Sequence, residues 1–240
     1  MKTISKISLA CALLAAASGA FAQKAGDNII SVGLASINPD AKVGTLNNST
    51  NSLAVGINGT TVGGLLAGTT AKVSSETTIS LGLLHMYTDN IGAEFAIGIP
   101  PTVTQDLNTP VLGSNHPAAA KINVWTPGVV AKYFFGTPRD TWRPYVGLGV
   151  SRVSFHKIAM NSEPLVQALA GTSASLSSTW TPIYNAGVIY NIDEKWSISG
   201  SVSYLPVKTN ATFVGANAGT TTGEVKLNTT DYVVKMGYRF

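Results

Sequence analysis

The sequence is short of the groups on which most soluble folds and most enzymes depend. Its 240 residues include one cysteine, Cys11, and three histidines. Charged residues make up 12% of the chain, about half the usual share for a soluble domain. Cys11 lies within the first 22 residues, so the rest of the chain holds no thiol, and disulfides and thiol chemistry are excluded there. Ser8 stands where a lipoprotein signal carries Leu, so Cys11 does not read as a lipidation site. Beyond residue 22 no apolar run approaches the roughly 18 residues that a membrane-crossing helix needs. No basic run exists either. Removing Lys2 and Lys6 from the 16 basic residues leaves 14 against 12 acidic ones, which gives no nucleic-acid signal.

What is present starts with an export signal. Lys2 and Lys6 precede an apolar run from Ile7 to Ala17, and Ala20-Phe21-Ala22 has the small-x-small form of a cleavage site. The reading is a cleaved signal peptide over residues 1–22 and a single domain over 23–240.

In that domain, period two dominates. Trp196, Ile198, Val202 and Tyr204 alternate with Ser197, Ser199, Ser201 and Ser203. Eight such segments recur, near 28–37, 77–87, 91–99, 124–135, 144–155, 180–192, 196–213 and 224–240. Long connections (38–76, 100–123, 156–179 and 214–223) alternate with the short ones at 88–90, 136–143 and 193–195. An export signal, alternating strands and long loops opposite tight turns together predict an all-β fold. The expected form is a transmembrane eight-stranded antiparallel up-and-down β-barrel in the outer membrane, with lipid as its first partner. An even strand count puts both termini on the short-turn, periplasmic side.

Tyr87, Tyr133, Phe135, Tyr190, Trp196, Tyr238 and Phe240 lie beside short turns or at the carboxyl end, with the parity assigned to lipid. They are expected to form a periplasmic aromatic girdle, and Tyr204 to join an outer one. The terminal strand, DYVVKMGYRF, has to close against the first strand, since an open edge would leave backbone groups unpaired in hydrocarbon.

The opposite parity gives the lumen. Glu94, Ala96, Val130, Lys132, Phe134, Tyr145, Gly147, Gly149, Lys235 and Arg239 point inward, as does Asp231. Glu94 and Lys132 sit on adjacent segments at similar height, and are expected to pair, with Lys235 and Arg239 in reach. In a narrow barrel such a cluster is either a structural plug or a gate for polar solute. The inward glycines relieve crowding or leave a pocket. Trp180 has two placements. Parity from Tyr190 sends it to lipid, whereas a ladder break at Pro182 would turn it into the lumen mouth as a gate candidate. Pro164, Leu165, Leu169 and Gly171 read as a short helix or turn over that mouth. Asn48-Ser49-Thr50 and Asn58-Gly59-Thr60 match glycosylation acceptors, as chance allows in an Asn/Thr-rich loop.

No catalytic set, metal-ligand pattern or cofactor motif emerges. Ser154 and His156 share an outward face, with Glu163 as a conceivable acid, but a rim histidine at a polar interface is the plainer account. His85 has lipid-face parity and His116 lies in a loop.

Several stretches together resemble the OmpW family of small outer-membrane barrels. They are YTDNIGAEF, TPGVVAKYFFG, RPYVGLGVSRVSF, IYNIDEKWSISGSVSYLPVKT and the terminal GYRF, in family order from about residue 28 onward. The resemblance implies an eight-stranded barrel with a narrow, largely apolar lumen. It implies passage of small hydrophobic molecules from the cell surface, with sideways exit into the membrane. It also implies that the strand ending in Phe240 is the signal read by the barrel-assembly machinery. The competing expectation is a plugged structural barrel whose loops serve stress-related or receptor roles.

Overall fold

The computed structural model describes residues 23–48, 55–56, 70–110, 113–164, 167, 171–215 and 219–240. The expected signal peptide, both glycosylation-type triplets in part or whole, and Leu165 and Leu169 lie outside them.

Thirteen strands form among the described residues. They are β1 (Asn28–Asn48), β2 (Val55–Gly56), β3 (Thr70–Val73), β4 (Glu76–Met86), β5 (Ile91–Gly98), β6 (Thr102–Thr109) and β7 (Ser114–Trp125). β8 (Gly128–Phe134), β9 (Trp142–Met160), β10 (Ser173–Leu176), β11 (Thr179–Asn191), β12 (Trp196–Gly215) and β13 (Gly219–Arg239) follow. Eight of them build a closed wall in the order β1-β4-β5-β8-β9-β11-β12-β13, every neighbour antiparallel. β13 returns to β1 from Ile29↔Arg239 upward, so the terminal strand closes the seam.

The wall turns its apolar residues outward. Ile30, Val32 and Leu34 on β1, Leu148 on β9 and Val234 on β13 are all more than half exposed. On a soluble protein a belt of this kind would be a large unpartnered patch. Around a closed ring of strands it is the surface that meets hydrocarbon.

The strands rise further than their composition suggests. The sequence reading makes loops of 100–123, 156–179 and 214–223. Instead β6 and β7 form a hairpin, β9 continues to Met160, and β12 and β13 stay paired up to Gly215↔Gly219. Thr102, Thr104, Thr109, Thr220, Thr221 and Thr222 fall in these stretches. Thr is β-branched and suits a pleated surface, so polarity alone does not make a loop. The expected strand over 124–135 is two strands, because Pro127 interrupts it: β7 ends at Trp125 and β8 begins at Gly128. Near the mouth, the backbone of Gln167 donates to the Glu163 carbonyl and that of Gly171 to the Gln167 carbonyl, helical spacing in a segment mostly outside the described residues.

Lys157 has a positive φ of 49°. The β7–β9 register shifts nearby, between Lys121 and Asn123. The extra residue inverts the side-chain alternation, so Phe155 and Ile158 line the same cavity.

Candidate functional site

The lumen is layered, and its short-turn end is shut. Arg143, at the start of β9, is completely buried. Its Nη1 donates to the Gln23 carbonyl at 2.7 Å and its Nη2 to the Asp89 carbonyl at 2.6 Å, while the guanidinium lies 5.3 Å from the Phe134 ring centre. Residues 23–27 are thereby drawn across the opening. Gln23 Nε2 donates to Asn191 Oδ1 at 2.8 Å, and Gly26 N–H to the Met86 carbonyl at 2.8 Å. Above this lies an apolar layer of Ile29, Leu84, Met86, Phe134, Tyr145 and Ile189.

The ionic layer comes next. Glu94 accepts from Lys132 through Oε2 and from Lys235 through Oε1, the latter at 2.7 Å. Lys132 Nζ also sits 4.2 Å from the centre of the Tyr145 ring. All three ionic side chains are buried, so each depends on the others. Gly82 makes the space: a Cβ there would overlap Glu94 Oε1 and lie 2.6 Å from Ser31 Oγ. Arg239 does not join them. Its Nη1 pairs with Asp27 at 3.1 Å, because residues 23–27 supply a nearer carboxylate.

Two cavities follow toward the long-hairpin end. The lower, about 130 Å³, has the Ser197, Ser199, Ser201 and Ser203 column on one wall and Ala96, Val130 and Ile183 on others. The upper, about 100 Å³, is walled mainly by apolar groups, including Val153, Phe155, Val207 and Leu227. Asp231, Leu205 and Ile37 border both.

Gly147 and Gly149 border neither cavity and let neighbouring strands pack closely, whereas Gly98 borders the lower one. A Cβ on Gly149 would overlap the Val129 carbonyl oxygen, and one on Gly147 would lie 2.7 Å from Val130 Cγ1. Trp180 does not belong with the lumen candidates. It is 63% exposed, faces outward and has the Arg152 guanidinium 5.6 Å from its ring centre. Pro182 does break a ladder, since pairing with β12 stops at Tyr184↔Tyr204. The β9 side remains paired up to Thr179↔Val153, which holds the Trp180 parity.

The aromatic girdle is built of pairs. Trp196 packs on Tyr238 at 4.9 Å and Tyr133 on Phe135 at 5.2 Å, with Tyr87 and Phe240 well exposed. Tyr190 is outward in parity yet buried, because Trp142, which the sequence reading passes over, covers it at 4.6 Å. Arg143 and Gly82 also escape that reading. Arg143 falls in a stretch taken for a turn, although carrying the Tyr145 parity back two residues would have placed it inside.

Ser154 lies in the β9 stretch whose alternation faces outward, and His156 is exposed. The acid considered for them is elsewhere: Glu163 Oε1 lies 3.0 Å from Nδ1 of the buried His116.

The pairing of the wall is interrupted at one place. β5–β8 pairing ends at Ala96↔Gly128. The next cross-links are Val124 N–H to the Pro101 carbonyl at 3.1 Å and Asn123 Nδ2 to the Pro100 carbonyl at 3.2 Å. Between them lie Ile97, Gly98 and Ile99 on one side and Trp125, Thr126 and Pro127 on the other, with Trp125 40% exposed. The Pro127 carbonyl is turned toward β9, accepting from Arg152 N–H and Ser151 Oγ, both at 3.0 Å. Ile97, Gly98, Ile99 and Thr126 border the lower cavity.

A closed antiparallel ring with an apolar exterior and a paired ionic interior defines an integral outer-membrane β-barrel. The comparisons agree. Outer membrane protein W of Vibrio cholerae is 30% identical over 237 residues, covering 95% of this chain and 96% of that protein. The crystal structure of OprG from Pseudomonas aeruginosa superposes with a TM-score of 0.76 at 25% identity, covering 92% of this chain and 99% of that one. Outer membrane protein AlkL of Ectopseudomonas oleovorans is 21% identical over 175 residues, 73% of this chain and 70% of that protein. The OmpW family model matches residues 24–240, and the chain belongs to the OmpW family.

Proposed function

We propose that the barrel admits small apolar solutes at its long-hairpin end and releases them sideways, between β5 and β8, into the membrane. The observation that carries this is the interrupted β5–β8 pairing beside the lower cavity, directly above a sealed floor. Straight passage would have to displace Arg143, the apolar layer and the Glu94 cluster. Sideways exit leaves those layers in place. On this reading the upper cavity receives the solute from outside the cell and the short-turn end faces the periplasm. Export by residues 1–22 and recognition of the Phe240 strand by the assembly machinery belong to the same proposal.

Uptake of a small apolar probe tests it. Cells lacking the protein are complemented with wild type or with Ser201→Trp, which fills the lower cavity from the serine column. Both proteins are checked for folding by heat-modifiable gel migration. Uptake restored by wild type and not by the folded variant supports the conduit. Equal uptake in all strains refutes it and favours the second reading, a plugged surface barrel, for which the completely closed floor also speaks.

A further inference from the structure

Where the two cavities meet, one row of the wall carries acceptors without donors. The row runs Asn185↔Ser203↔Asp231↔Ile37 across β11, β12, β13 and β1. Asn185 Nδ2 donates to Ser203 Oγ at 2.9 Å and to the Val202 carbonyl at 3.2 Å. That leaves Asn185 Oδ1 buried with no hydrogen-bond partner among the described residues, and Asp231 Oδ1 is in the same position. Lys235, the nearest lysine along β13, is four residues away, roughly 13 Å of strand, and is held by Glu94. Asp231 forms no ion pair among the described residues. An unpaired carboxylate inside a barrel is costly, so its presence at the junction asks for a purpose.

We propose that Asp231 binds the primary ammonium group of a small amphiphilic amine whose apolar body lies in the upper cavity. The chemistry selects this class. A buried carboxylate oxygen without a partner calls for a donor, and a positive donor answers it best. A primary ammonium carries three donors on one atom, enough for the Asp231 carboxylate. Ile37, in this row, and Leu205 border both cavities, so an apolar group attached to the ammonium meets apolar walls at once. This rests on the reading that the upper cavity accepts apolar solutes, and adds to it a preference for amines over neutral isosteres.

Calorimetric titration of the barrel in nanodiscs, against empty nanodiscs, tests the site with phenethylammonium and 2-phenylethanol, which share one apolar body. The ammonium is expected to bind wild type at least about tenfold more tightly, the effect of one charge-assisted hydrogen bond. Asp231→Asn, folded by heat-modifiable migration, is expected to erase that preference. Alcohol binding without tighter ammonium binding to wild type overturns the amine site alone, and this comparison stands even if the variant does not fold. Retention of the preference in folded Asp231→Asn also overturns it. No binding of either probe overturns both the amine site and the apolar chamber beneath it.

Discussion

Lys235 Nζ lies 2.7 Å from Glu94 Oε1, although β1 and β4 stand between their strands in the wall. The pair therefore crosses the lumen, and Lys132 reaches the same carboxylate from β8. Three charges on three strands tie one level of the barrel together.

Glu94→Gln is expected to be strongly destabilising. It strands two buried ammonium groups, at a cost of roughly 3–5 kcal/mol. The urea midpoint of folded barrel, followed by gel migration, is the readout. Adding Lys132→Met and Lys235→Met to Glu94→Gln is expected to recover most of the loss, because no unpaired charge then remains in that layer.

Arg143→Met is expected to open the floor. Three elements meet on that guanidinium: the Gln23 segment, the turn at Asp89, and β9 itself. Without it residues 23–27 lose their main anchor, and the carbonyls lose donors worth about 1–3 kcal/mol each when buried. In planar bilayers the wild type is expected to show little ion conductance and Arg143→Met clearly more.

The glycines separate by neighbour. Gly149→Ala presses a methyl group against β8 backbone, whereas a Cβ on Gly98 meets the Ile79 carbonyl at 3.3 Å and otherwise only the Thr78 methyl at 3.6 Å. The yield of heat-modifiable barrel is expected to fall sharply for Gly149→Ala and to stay near wild type for Gly98→Ala.

Phe240 is 68% exposed and contributes its N–H to the Asn28 carbonyl at 3.0 Å. If its ring serves assembly more than packing, Phe240→Ala lowers the amount of barrel reaching the membrane in cells but leaves refolding into detergent unchanged. Equal loss in both assays would assign the ring to packing.

Period-two alternation carried most of the fold, because each wall strand faces lipid on one side and a crowded lumen on the other. Glu94, Lys132 and Phe134 follow from parity alone. The pairing of Lys235 with Glu94, and not of Arg239, does not. It depends on residues 23–27 folding back to offer Asp27, a contact 212 residues distant in sequence. The hairpin of β6 and β7 was hidden by its polar composition. The burial of Tyr190 was hidden because its cover, Trp142, belongs to another strand. The ligand-facing role of Asp231 could not be read from β13, since it depends on which donors its neighbours lack.

The route itself is the central claim. Gly98 and Thr126 would face each other if the β5–β8 register continued, and they flank its interruption. With Cys11 the sole native cysteine, Gly98→Cys/Thr126→Cys can be bridged selectively by a short, cleavable bis-thiol reagent. Uptake of an apolar probe is then measured before bridging, after bridging and after cleavage. Uptake is expected to stop on bridging and return on cleavage. Uptake that continues unchanged through the bridged barrel would contradict sideways release between β5 and β8.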